Sequence, residues 1–188
     1  MPMKIIFLDI DGVLNSRNTT RMTSWGSTFV EDALIRNLKH VIDETGAEVV
    51  LSSNWRYDRD DPSLNMEFLE LRDELARYGI CFYGFTPELH DRGKDIDQWV
   101  KEHPKTTNFV ILDDKKDIAL NRNHWVQTTM AHGLGPDEAE KAIQVLLDDQ
   151  LTVELPPPKL VPKETEQRKD LPLRDRLGSL LHRLQLRL

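Results

Sequence analysis

The stretch that most constrains this chain is Lys4-Ile5-Ile6-Phe7-Leu8-Asp9-Ile10-Asp11-Gly12, close to its start. The run from Lys4 to Leu8 is short, apolar and rich in strand formers, which predicts a buried central strand. Two carboxylates, Asp9 and Asp11, follow where that strand should end, and Gly12 permits a sharp turn that a residue with a Cβ would resist. In an open α/β sheet, ligands bind at the carboxyl ends of central strands. Delivering two acids into such a crevice is costly unless a partner or a cation compensates. The arrangement suits a divalent cation together with a phosphate.

Further along, strand and helix patterns alternate. Residues 15–29 are polar and lack a clear period, which predicts a flap or β-hairpin over the site, with Asn15, Arg17 and Arg21 within reach of a substrate. Val30 to Thr45 has apolar residues at helical spacing and is closed by Gly46. Ala47 to Leu51 reads as a second strand running into Ser52-Ser53-Asn54-Trp55-Arg56, where Arg56 suits a bidentate phosphate contact and Trp55 suits packing. An acidic turn, Asp58 to Pro62, leads into a helix from Pro62 to Tyr78, and Ile80 to Tyr83 is the expected third strand. Cys81 lies within that apolar run, so a buried, inert thiol is expected. The lone His90 is assigned no role.

Arg92-Gly93-Lys94 opens another helix, with Ile96, Trp99 and Val100 on its apolar face. A cation in the first turn of a helix is generally disfavoured, so Lys94 there calls for a nearby anion; Arg92 is a weaker candidate for the same surroundings. Asn108 to Leu112 predicts a fourth strand ending in Asp113-Asp114, and Trp125 to Thr129 a short edge strand. Pro136 suits the first turn of a helix that runs to Leu147.

Charge divides unevenly: residues 1–150 hold 17 Lys and Arg against 27 Asp and Glu, while residues 151–188 hold 8 against 5. The acidic body argues against broad nonspecific duplex binding, which needs basic side chains against phosphates. The single cysteine excludes an internal disulfide framework. Together with the absence of a signal-peptide pattern and of any apolar run long enough to span a bilayer, it leads to the expectation of a cytoplasmic protein. The expected organisation is a catalytic domain over 1–150, a Pro-rich linker over 151–170 and a basic amphipathic helix over 171–188. That last helix suits self-association or partner binding.

The motifs resemble those of the haloacid dehalogenase (HAD) superfamily, most of whose members are Mg²⁺-dependent phosphohydrolases. DIDGVLN matches its first motif, the strand ending in Ser52 its second, Lys94 at a helix start its third and Asp113-Asp114 its fourth. The resemblance implies a three-layer α/β/α Rossmann-like core with a mainly parallel sheet, little or no cap domain, and a tail helix. It implies Asp9 as nucleophile, Asp11 as general acid/base, and Ser52 and Lys94 as catalytic groups holding the phosphoryl oxygens. Ser53, Asn54, Arg56 and Asn15 are then candidate substrate contacts. Mg²⁺ would be held by Asp9, Asp11 through its backbone carbonyl, and Asp113 or Asp114, with Asp117 a further acid nearby. FLDIDGVLN, LSSNWR and RGKDIDQWV are also similar to compact HAD domains of RNA repair and of phage or bacterial nucleic-acid processing. The expected reaction is phosphomonoester hydrolysis through an aspartyl-phosphate, on a nucleic-acid end (a 3′-phosphatase) or another bulky substrate. The alternatives are a nucleotidase, or a non-catalytic scaffold acting through its tail.

Overall fold

The computed structural model describes residues 3–56, 65–115, 122–151 and 153. The expected tail helix, most of the linker, Asp117 and the start of the helix expected from Pro62 lie outside the described residues. Five strands form one parallel sheet: β1 (Met3–Leu8), β2 (Glu48–Leu51), β3 (Phe82–Phe85), β4 (Thr106–Asp113) and β5 (Trp125–Gln127), in the order β3-β2-β1-β4-β5. Among the described residues α1 (Asp32–Thr45), α2 (Met66–Ala76) and α3 (Arg92–Glu102) lie between successive strands from β1 to β4, and α4 (Pro136–Leu147) follows β5. This is the expected Rossmann-like α/β arrangement, with β1 at the centre.

Alternation along the strands sends their side chains to two separate cores. Ile6, Leu8, Val49, Leu51, Val110 and Leu112 pack beneath α1, α2 and α4. Ile5, Phe7, Val50, Phe109 and Ile111 pack against Ile96 and Trp99 of α3 on the opposite face. Phe7 lies edge-on to both Trp99 and Phe109, at centroid separations of 5.3 and 5.5 Å. The layers are therefore unequal: three helices cover one face, and α3 covers the other.

Two expectations near the β3 edge need correction. The third strand covers Phe82–Phe85 rather than Ile80 to Tyr83, because Ile80 is still in the turn leaving α2, its N–H bonded to the Leu75 carbonyl at 3.1 Å. Pairing then starts with Phe82 opposite Val49. In consequence Cys81 is exposed, not buried. The helix expected to reach Tyr78 ends at Ala76, and its observed start is capped by Asn65, whose side chain accepts from Phe68 N–H. Among the described residues, no helix is long and apolar enough to cross a membrane.

Candidate active site

The strand register places the chemistry. Leu8 lies opposite Leu51 on one side and Leu112 on the other, so β1 and β2 end on one rung and β4 ends one residue beyond it, at Asp113. The ladder continues one step further, with Asp9 N–H bonded to the Leu112 carbonyl at 2.9 Å and Ser52 N–H to the Leu8 carbonyl at 2.7 Å. Neighbouring strands lie roughly 4.8 Å apart. Ser52, Asp9 and Asp113 therefore emerge side by side at the carboxyl edge, between strands that lead in opposite directions across the sheet. By strand parity these three continue the face that α3 covers.

Asp9, Asp113 and Asp114 each offer a carboxylate oxygen, and the three atoms lie within 4.8 Å of one another. Asp9 Oδ1 accepts from Ile10 N–H at 2.9 Å, and Asp113 Oδ1 from Lys115 N–H at 2.9 Å. Asp113 Oδ2 is buried and accepts no hydrogen bond among the described residues; Arg92 Nε stands 3.2 Å away, but as an ion pair without hydrogen-bond alignment. Burial and the neighbouring Asp9 charge push the Asp113 carboxyl up to about 6, against the pull of Arg92. Burial, Asp9 and Asp11 likewise raise that of Asp114. Gly12 makes the close approach possible: it adopts φ +74°, and a Cβ there would stand 2.7 Å from the Asp114 carboxyl carbon. Three hard oxygen donors around one buried, unsatisfied lone pair fit a divalent cation such as Mg²⁺.

The cation actually present among these acids is Arg92. Its Nη2 lies 3.3 Å from Asp9 Oδ2, its Nε faces Asp113, and its Nη1 donates to Ser52 Oγ at 3.1 Å. Lys94, expected in that place, points elsewhere: its side chain is 65% exposed against 7% for Arg92, and it pairs with Asp91, the cap of its own helix, at 3.4 Å. The physical reason is helical rotation. Arg92 lies four and seven residues before Ile96 and Trp99, on the face that meets the sheet, whereas Lys94 is turned well away from it.

The other expected contacts are redistributed. Ser52 is buried with its Oγ between Arg92 and Thr86, the latter donating at 3.3 Å. Ser53 is buried, and its carbonyl accepts from Arg56 at 2.8 Å. Arg56, read from sequence as a phosphate contact, reaches the Pro87 carbonyl at 3.2 Å and the buried Asp95 at 3.4 Å, bracing the turn after β2 against α3. Asn15 is 1% exposed and holds Asp11 instead of facing a ligand. Asn54 is exposed and borders two open clefts. One, of about 550 Å³, adjoins Asp11, Trp55 and the flap, and the other, of about 170 Å³, adjoins Arg92 and Lys115.

Asp11 keeps its carboxylate out of the acidic trio. Asn15 Nδ2 donates to its Oδ1 at 2.8 Å, and Trp55 Nε1 donates to its Oδ2 at 3.0 Å. The flap is a set of turns closed by a single antiparallel bridge, Met22 to Thr28. Arg21 does not reach the site but anchors this flap to Asp32 at 2.9 Å and Glu74 at 3.0 Å. Sequence reasoning missed Trp55 as a polar partner because an indole beside a strand end reads as packing; its 9% exposure agrees with packing, and only the N–H direction reveals more.

Against known families, residues 5–139 match the one described as the HAD domain in Swiss Army Knife RNA repair proteins. A comparison with curated proteins returns no match.

Proposed function

This chain belongs to the family of HAD domains found in Swiss Army Knife RNA repair proteins, and from that premise we propose that it is a Mg²⁺-dependent phosphomonoesterase acting on RNA ends. The observation that carries the reading is the meeting of Asp9 and Asp113 beside Ser52 and Arg92, with Asp113 Oδ2 accepting no hydrogen bond among the described residues. A purely structural ion cluster would satisfy that atom. Phosphoryl transfer needs charge neutralisation and positioning more than covalent machinery, and this site concentrates both.

In the proposed reaction, one oxygen of Asp9 attacks phosphorus in line as the bond to the leaving oxygen breaks. Asp11 gives its proton to that oxygen, and an aspartyl-phosphate forms on Asp9. Asp11, now a carboxylate, takes a proton from water as the water attacks phosphorus, releasing inorganic phosphate and restoring Asp9. Arg92 and Ser52 hold the equatorial oxygens. Asp9, Asp113 and Asp114 would hold Mg²⁺, with the Asp11 backbone carbonyl as a further oxygen donor. The ion would supply charge neutralisation for the approach of an anionic substrate to the carboxylate.

The RNA-end assignment draws on the family's description and on the cleft of about 550 Å³ that the described residues form beside Asp11 and the flap. The test compares hydrolysis of an aryl phosphate with and without Mg²⁺, in the wild type and in Asp9→Asn. Turnover should require the metal and fall by more than about 1000-fold in the variant. A 3′-phosphorylated oligoribonucleotide should exceed a nucleoside monophosphate in kcat/KM by about tenfold, through binding energy from the remote chain. Metal-independent turnover or an active Asp9→Asn overturns the mechanism; equal kcat/KM for the two substrates overturns the RNA assignment alone.

A further inference from the structure

We infer that Asn15 and Trp55 are positioning residues that clamp both oxygens of Asp11 and so aim its proton at the leaving group, an inference that rests on the phosphatase reading above. The two donors reach Asp11 from separate segments: Asn15 from the same loop, Trp55 from the turn after β2. Each is itself held. Asn15 Oδ1 accepts from Gly12 N–H at 2.9 Å, and the Asn15 amide also lies 3.4 Å from the Thr28 carbonyl of the flap. The Trp55 carbonyl accepts from Asn65 at 2.9 Å, and the indole packs against Phe29 at a centroid separation of 6.4 Å.

The chemistry of the donors matters. An indole N–H can only donate, and an amide nitrogen does the same. With one on each oxygen, the carboxyl plane of Asp11 cannot rotate without breaking a contact. It is thereby kept apart from the acidic trio and turned along the cleft lined by Thr28, Asn54 and Trp55. That cleft adjoins the proton donor and is where the departing part of an ester would sit. The clamp also joins β1, the turn after β2 and the flap at one atom pair. A small misplacement of a proton donor costs a large factor in rate.

Leaving-group dependence separates this role from simple packing. kcat/KM reports the phosphorylation step, in which an alkoxide leaving group needs a proton and p-nitrophenolate scarcely does. Trp55→Phe keeps the ring and removes the N–H. It should lower kcat/KM for an alkyl phosphate at least about tenfold more than that for p-nitrophenyl phosphate. The same split is expected in Asn15→Asp, which keeps the shape but replaces the donor; this variant decides the matter if Trp55→Phe melts early. Equal losses on both esters, or no loss on the alkyl ester, overturn the clamp. Neither result touches the phosphatase reading, which stands or falls on Asp9→Asn.

Discussion

Two groups of charged side chains in this molecule are built on opposite principles. Around Glu74, every charge is matched: Arg21 reaches one carboxylate oxygen at 3.0 Å, Arg77 the other at 3.1 Å, and Arg21 also meets Asp32 and stacks over Phe29. Burial raises the Glu74 carboxyl, but the two guanidinium groups more than offset it, and the net effect is a lowered pKa. Around Asp9, three carboxylates meet while Arg92 pairs with two of them; among the described residues an oxygen of Asp113 lacks a hydrogen bond, and the carboxyls of Asp113 and Asp114 are raised. The first group ties the flap to α2. The second is a concentration of negative charge that Arg92 and Lys115 offset only in part among the described residues, the signature expected of a site that takes a cationic ligand. A charge cluster is informative here by its deficit, not by its size.

The contrast breaks most sharply at Arg92. Arg92→Ala removes the only cation the described residues place against both Asp9 and Asp113, and should lower kcat by about 100-fold, as loss of a charge-stabilising donor does. Lys94→Ala, two residues along, should stay within about twofold, because its ammonium faces Asp91 and solvent. Steady-state kinetics on an aryl phosphate decide it; a larger loss in Lys94→Ala would restore the role that sequence reasoning gave to that residue.

A smaller but more diagnostic effect is expected from neutralising the deficit. Asp113→Asn should raise the melting temperature of the metal-free protein by a few degrees while abolishing its further rise on adding Mg²⁺. Because the folded-state carboxyl of Asp113 is raised to about 6, its stability contribution is fully present below the ordinary carboxylate value and lost as pH rises through about 6. Metal-free wild type should therefore lose melting temperature across that interval, and the variant less so. A variant that melts lower than wild type without metal would show the cluster to be structural.

Least in size is the matched cluster. Glu74→Gln should cost about 0.5–1 kcal/mol at neutral pH, since Arg77 and much of Arg21 are exposed and screened. Here the sign is opposite. The folded-state carboxyl is lowered, so its contribution is present above the ordinary glutamate value and lost as pH falls through the folded one. The difference between variant and wild type should vanish in acid, as read by denaturant melts at stepped pH. A constant difference at all pH values would mean that packing, not charge, holds the flap.

Much of the fold was legible because apolar runs and their punctuation are local. The strands beginning near Met3, Ala47 and Asn108 and the helices ended by Gly46 and opened by Pro136 follow from composition over a few residues. The β3 edge is not legible locally, because Ile80 is apolar enough for a strand but is held in the turn by a bond to Leu75. At the site, Arg92 was within reach of sequence reasoning: its spacing to Ile96 and Trp99 puts it on the buried face of α3. The family's lysine position, by contrast, points to Lys94, which faces Asp91 and solvent.

What the chain alone determined is that acids stand at the ends of apolar strands, since the same local pattern that makes the strand also ends it. That Ser52, Asp9 and Asp113 share one rung, that Arg92 lies among them and that Asn15 and Trp55 grip Asp11 were decided only when the strands fell into register and α3 settled on the sheet. Hydrogen-bond direction and the rotation of a helix about its axis depend on partners dozens of residues away. Local sequence carries the residues but not their facing.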